Sequence, residues 1–366
     1  MKKYFFFLSL LLFSLLNQAQ DQLDSLWDAW HDESATDAAR AQAMNDIAKY
    51  GYLYSQPDSA FYYAQLSYDF AKMMGLKSQM SSSLSIQGGS FYVKSDFPKA
   101  LEYYNRCISI CEEISDKDGL ARTLNNIGVI YSIQGDFPKA MEYHKKSLTL
   151  KEEISDTSGM AGVMNNIGLI YMNHGDYPRA LYYFQKCLKI KEQYGEKRGV
   201  AQALNNIGLI YMRQGYNEEA LEYFLRSLSI CEELSDKRSF AGTLSNIGLI
   251  YMNLKKYLEA LEYYQQSLKT NEEMDDKKGM ATTFNNLGEI YMNQGNYTDA
   301  MNYFLKCLKI YEEISDKRGL AGILLNIGRL KNRQNYHIQA IEWCSRSLET
   351  SEEIEILEEQ KNACQC

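Results

Sequence analysis

The side chains able to do chemistry in this sequence recur at a fixed interval. Glu112-Glu113, Glu152-Glu153, Glu232-Glu233, Glu272-Glu273 and Glu312-Glu313 are 40 residues or a multiple of 40 apart. Paired carboxylates act as general acid and base only when two of them face one substrate, whereas a row at equal spacing makes a solvated helix face. The four histidines, His31, His144, His174 and His337, stand at unrelated places in that interval. His144 occupies the position held elsewhere by Tyr104, Phe184, Phe224, Tyr264 and Phe304, so it reads as a packed ring. No His-Glu-x-x-His, Gly-x-Ser-x-Gly or phosphate loop is present. A catalytic site needs unlike groups converging at one place. A non-catalytic chain without metal or cofactor is therefore expected.

The eight cysteines follow the same interval. Cys107, Cys187 and Cys307 share a position with Ser147, Ser227, Ser267 and Ser347. A site that alternates Cys with Ser wants small volume, which argues against a disulfide framework. Cys107 and Cys111, four apart, have the spacing of a metal pair on a helix but lack the further ligands that a structural site needs. Cys364 and Cys366 are the thiols expected to react.

Amides complete the pattern. Asn125-Asn126-Ile127-Gly128 returns as Asn165-Asn166-Ile167-Gly168, Asn205-Asn206-Ile207-Gly208, Ser245-Asn246-Ile247-Gly248, Asn285-Asn286-Leu287-Gly288 and Leu325-Asn326-Ile327-Gly328. Weaker copies run back through Gly88 and Ala100, then Ala48 and Ala60. Eight units result, at residues 41–360, starting near 41, 81, 121, 161, 201, 241, 281 and 321. Residues 21–40 read as an N-terminal cap.

Two amphipathic helices must position these groups in each unit. In the copy from 121 to 160, Leu124, Ile127, Gly128 and Tyr131 share one face; Gly135-Asp136 breaks the pattern; Ala140, His144, Ser147 and Leu148 form a second face. Asp136 caps the second helix, with Pro138 in its first turn. Asp116, Asp156, Asp236, Asp276 and Asp316 cap the first helices by the same logic. Gly128 and its equivalents sit inside a helix, where Gly costs about 1 kcal/mol relative to Ala. Close approach of the two helices would explain them.

Leu204, Ile207-Gly208, Tyr211, Ala220, Phe224 and Ser227 together resemble the tetratricopeptide repeat pattern, and the other units match in register. The units are longer than the usual member of that family and end in Glu-Glu-Ile-Ser-Asp-Lys, as at 312–317, which is similar to the lengthened repeats of kinesin light chains. The resemblance implies an all-α, right-handed superhelical solenoid of helix-turn-helix units whose first helices line a concave groove that binds a protein or extended peptide. It places Asn126, Asn166, Asn206, Asn246, Asn286 and Asn326 along that groove, joined by Asn125, Asn165, Asn205 and Asn285. Such a ladder either holds a peptide backbone through its donors and acceptors or hydrogen-bonds neighbouring units. Leu169, Leu209 and Leu249, then Met172, Met212, Met252 and Met292, would give an adaptable apolar strip. Arg329 and Arg333, four apart, are placed to grip a carboxylate. Tyr131, Tyr171, Tyr211, Tyr251 and Tyr291 read as packing rather than as a platform for bases.

Over 366 residues, 39 Lys+Arg against 47 Asp+Glu leave a net charge of −8, which disfavours a nucleic-acid partner. With 4 prolines and 45% hydrophobic residues the chain is neither disordered nor collagenous. Lys2-Lys3 followed by the apolar run 4–16 and a small residue at Ala19 reads as a signal peptide, 1–19 or 1–20, and so as export to the periplasm. No later stretch is apolar enough to span a membrane. Residues 361–366 read as the start of a ninth unit or as a cap. This ending resembles the exported repeat region of bacterial sensor proteins. A sensory ectodomain whose kinase, cyclase or DNA-binding output lies elsewhere is therefore the alternative to a stand-alone scaffold.

Overall fold

The computed structural model describes residues 21 and 23–353. The expected signal peptide and the expected ninth-unit start or cap at 361–366, with Cys364 and Cys366, lie outside them. The chain divides into two units, Met1–Cys187 and Leu188–Cys366.

Among the described residues the first unit holds α1 (23–31) and α2 (Asp37–Asp46), which runs on into a π-helical stretch, Ile47–Tyr52. Then come α3 (Pro57–Met73), α4 (Lys77–Val93), α5 (Phe97–Glu113), α6 (Lys117–Ile133), α7 (Phe137–Glu153), α8 (Thr157–Asn173) and the start of α9 (Tyr177–Gln193). The second holds the end of α9, then α10 (Lys197–Arg213), α11 (Asn217–Glu233), α12 (Lys237–Asn253), α13 (Tyr257–Glu273), α14 (Lys277–Asn293), α15 (Tyr297–Glu313), α16 (Lys317–Arg333) and α17 (His337–Glu353). The described residues contain no strand.

From α3 onward every helix has 17 residues, and every connection has three. Most connections do three jobs in order, while Leu76, Glu196, Tyr216 and Lys256 stand at the capping place without a side-chain cap. In Ile114-Ser115-Asp116, the Ile114 amide donates to Ile110 O and closes α5. Ser115 turns left-handed, φ 56°. Asp116 returns its amide to Cys111 O at 2.8 Å while its carboxylate accepts from the Gly119 amide and opens α6. The left-handed residue lets the chain reverse, and the capping Asp satisfies an amide that the first turn leaves without a partner. Asp136, Asp156, Asp236, Asp276 and Asp316 cap in the same way, with Pro138 in the first turn of α7.

The helices of a pair lock at three levels. Inside six of the first helices, from α4 to α14, a glycine faces an aromatic ring of the second, whereas Gly328 in α16 faces Cys344. A Cβ would stand 2.7 Å from the His144 ring at Gly128 or the Phe184 ring at Gly168 in the first unit. In the second unit it would stand 2.8 Å from Phe224 at Gly208 and from Tyr264 at Gly248. That close approach is what the mid-helix glycines are for. One turn on, the small residue donates to a first-helix carbonyl: Ser147 to Ala121 O at 2.7 Å, Ser227 to Ala201 O at 2.9 Å, Ser267 to Ala241 O at 3.0 Å, and Cys107 to Ser81 O at 3.2 Å. The position thus wants a donor as well as small volume.

The third level gives the glutamate pairs, which lie on the exposed face as expected, a partner. The second glutamate of each pair, at the end of a second helix, holds the lysine that starts the first helix 36 residues earlier. Lys117–Glu153 is at 2.8 Å, Lys237–Glu273 at 2.7 Å and Lys317–Glu353 at 2.8 Å, and Lys77–Glu113 and Lys197–Glu233 make the same clasp. Exposed pairs of this kind contribute up to about 1 kcal/mol each. The first-helix tyrosines are half-buried and stacked on second-helix partners, Tyr131 on Tyr143 at 5.5 Å and Tyr251 on Tyr263 at 5.4 Å, so they belong to the packing.

Cys107, Cys111, Cys187, Cys231 and Cys307 are free and buried. Cys344 departs from the expectation for the cysteines: it is disulfide-bonded.

Candidate functional site

In each unit the amide pairs sit on first helices, and the structure divides them into two kinds. In the first unit, Asn166 donates through Nδ2 to Asn125 Oδ1 at 3.1 Å, and the same oxygen accepts from Nδ1 of the buried His144 at 2.9 Å. In the second, Asn246 donates to Asn205 Oδ1 at 2.9 Å and Asn326 to Asn285 Oδ1 at 2.8 Å. Each link joins neighbouring repeats, 41 residues apart. Asn165 and Asn206 are buried and hold interactions of their own. Asn126 and Asn286 are half-buried and make no side-chain hydrogen bond within the described residues.

The apolar strip divides as well. Met172 and Met292 are buried, against the expectation of an adaptable surface, Met292 within the cluster that holds Phe284, Leu287 and Phe304. Leu169, Leu209, Leu249, Met212 and Met252 are half-buried, with Leu209 and Met212 packed beside the cluster formed by Ala220, Phe224, Ile247 and Ile250. Arg329 and Arg333 are exposed beside Glu289, Met292 and Asn326 around a cleft of about 410 Å³. Arg333 donates to Asn293 Oδ1 at 3.1 Å. Burial pushes the Glu289 carboxyl above its ordinary value, opposed by a hydrogen bond from Asn285, the Arg329 charge and a hydrogen bond from Asn326. This pair of arginines is therefore already answered in part by the protein itself.

The larger opening lies where the repeat pattern is weakest. A cleft of about 590 Å³ is lined by the π-helical stretch, α4 and α6. Tyr50 and Tyr54, 68% and 82% exposed, belong to its lining, together with Tyr92, Ser82, Ser85 and Asn126. Burial, then the neighbouring Tyr54, raises the Tyr92 hydroxyl above its ordinary pKa. The buried Cys107 and Cys111 thiols, 3.9 Å apart, also border the cleft. The Cys107 thiol is pushed up by its hydrogen bond to Cys111 and by burial, so it is a poor nucleophile. Of these residues only Asn126 is legible from the repeat. The available signal for the rest was departure from it: Asn45-Asp46 and Ser85-Ile86 stand where later units carry Asn pairs, and tyrosines crowd residues 50–68.

A family model described as tetratricopeptide repeat matches residues 79–153, 159–234, 239–313 and 279–353. The chain belongs to the tetratricopeptide repeat family. No curated protein matches the sequence. Solved tetratricopeptide structures share the fold. The apo form of the quorum sensor NprR from B. thuringiensis is 13% identical, with 92% of this chain and 99% of that chain covered and a TM-score of 0.66. A Rap protein complexed with competence and sporulation factor is 16% identical, covering 92% and 98%, TM-score 0.63. Aspartyl phosphate phosphatase F from Bacillus subtilis is 13% identical, covering 91% and 93%, TM-score 0.62. At these identities the likeness concerns the fold. Among the described residues no three His, Cys, Asp or Glu side chains are grouped as metal ligands, and no helix is long and apolar enough to cross a membrane.

Proposed function

We propose that this tetratricopeptide protein is a non-catalytic scaffold that holds a protein or extended peptide on the face of its first helices. The observation that carries the reading is the N-terminal cleft, on that face, with exposed tyrosines around an unspent amide. Aromatic rings supply large contact area at low entropic cost, and the amide supplies a donor and an acceptor for a backbone. The Rap protein complexed with competence and sporulation factor, which shares the fold, supports a binding use of it. Lys2-Lys3 and the apolar run that follows support export, with the periplasm as the place of action.

The test is selection from a displayed library of random heptapeptides on the wild-type protein and on a Tyr50→Ala/Tyr54→Ala variant. Both tyrosines are exposed, so the variant keeps its helicity. Peptides enriched on the wild type and lost on the variant support the reading. Equal enrichment on both, or none on the wild type, removes it.

A further inference from the structure

Sulfur recurs at two places in the second helices: the small-residue position of Cys107, Cys187 and Cys307, and the position four residues later, where Cys111 and Cys231 stand. The helix α5 alone carries it at both. Cys187 and Cys307 are followed four residues on by Lys191 and Tyr311, and Cys231 is preceded by Ser227. A single thiol at the first place is explained by small volume and a donor, as the serine equivalents Ser147, Ser227 and Ser267 show. The second sulfur has no such explanation, because Ser351 fills the place of Cys111 in α17 and is also buried.

The two Sγ atoms lie 3.9 Å apart, and both side chains are buried at the border of the N-terminal cleft. Two metal–thiolate bonds of ~2.3 Å span such a gap when they meet at an angle. Cys107 Sγ is 3.2 Å from Ser81 O and 3.2 Å from Thr123 Oγ1. A Cβ on Gly119 would stand 3.0 Å from Cys111 Sγ, so the glycine leaves that sulfur uncrowded. Arg122, which lines the same cleft, acts electrostatically on both sulfurs, against Asp116 beside Cys111. Among the described residues no three His, Cys, Asp or Glu side chains are grouped, which leaves zinc short of the four ligands of a structural site. Thiolates select soft ions, and a d10 monovalent ion is satisfied by two of them.

The geometry points to a Cu(I) site in the first unit, in which Cys107 and Cys111 bind the ion as a thiolate pair reached from the N-terminal cleft. The ion takes the place of the two thiol protons, which leave to solvent, since a coordinating thiol is deprotonated outright. No electron moves, and copper stays Cu(I). The bound pair carries one negative charge, which Arg122 answers. Both thiols lie too deep for a bulky reagent, whereas a single ion is small enough to enter. The site stands independently of the peptide reading, so either can fail without the other.

The experiment titrates the full chain anaerobically with Cu(I) held by the chromogenic chelator bicinchoninate, reading copper transfer, thiolate-to-copper absorption in the ultraviolet and the melting temperature. Wild type takes about one equivalent and melts higher, because the ion binds the folded state. Cys107→Ser and Cys111→Ser each weaken binding by more than about 100-fold, beyond the loss of an outer-shell partner. Serine stands at these positions in Ser147 and Ser351, so both variants keep the fold. Cys187→Ser, Cys231→Ser and Cys364→Ser/Cys366→Ser keep the wild-type affinity, and zinc leaves the melting temperature unchanged. Copper held equally by both single variants, or lost with Cys364→Ser/Cys366→Ser instead, would overturn the assignment. So would the absence of transfer from chelator to wild type. Should either serine variant lose its helicity, X-ray absorption on copper-loaded wild type decides: sulfur neighbours alone support the site, and nitrogen or oxygen neighbours in their place overturn it.

Discussion

His144 replaces the Phe or Tyr that packs under the mid-helix glycine in other units, and its ring is fully buried against Gly128. Burial lowers its pKa from the ordinary 6.5 to about 4. Between those values the unfolded chain holds a proton that the folded chain does not. Stability present above pH 6.5 is therefore lost as pH falls towards 4, by up to about 3 kcal/mol. His144→Phe, which restores the ring found at Phe184 and Phe224, removes that slope. Urea unfolding at pH 7 and pH 5 should give a smaller difference for the variant than for the wild type. The glycine opposite the ring has its own test. Gly208→Ala would place a methyl carbon 2.8 Å from the Phe224 ring, so overpacking outweighs the gain in helix propensity. A loss of about 1–2 kcal/mol is expected in the same unfolding assay.

Each helix in this array is set by its ends. Asp236 opens α12 by accepting from the Ser239 amide at 3.2 Å, whereas Lys256 stands at the same place before α13 and offers no acceptor. Asp236→Ala should cost about 1 kcal/mol, and Lys256→Asp should add stability of the same order. The midpoint of urea unfolding separates the two signs. The capping aspartates were legible because a cap acts over three residues of chain. The lysine-to-glutamate clasps were not legible, since Lys117 and Glu153 are 36 residues apart and nothing local in either marks the other. Likewise Met172 looked like groove lining by register, and only packing showed that it is buried.

Contacts in both units run mainly between helices adjacent in the chain, so stability is a sum of local terms and neighbour interfaces. A destabilising change such as Gly128→Ala should lower hydrogen-exchange protection chiefly in α6, α7 and the helices packed on them, while α14 to α16 keep theirs. Uniform loss across the chain would contradict a local sum. The thiols give a second reading at this scale. Cys107, Cys111, Cys187, Cys231 and Cys307 are buried, and burial pushes the Cys307 thiol up to about 12. A thiol reagent should modify none of the five at an appreciable rate in the native protein and all five in denaturant, counted by mass spectrometry.

Period, helix pairing, caps and the close approach of helices at the mid-helix glycines could be read from residue order alone, because each is a short-range demand repeated at an interval of 40. The tertiary structure decided which asparagines are spent. Whether Asn166 meets Asn125 or Asn126 faces Ser85 depends on side-chain reach between helices 41 residues apart, and a free amide looks the same as a bonded one in the sequence. It also decided where the cleft lies. The opening follows from the π-helical stretch at 47–52 and from small serines on α4, two departures that weaken the repeat signal at the place where they make room.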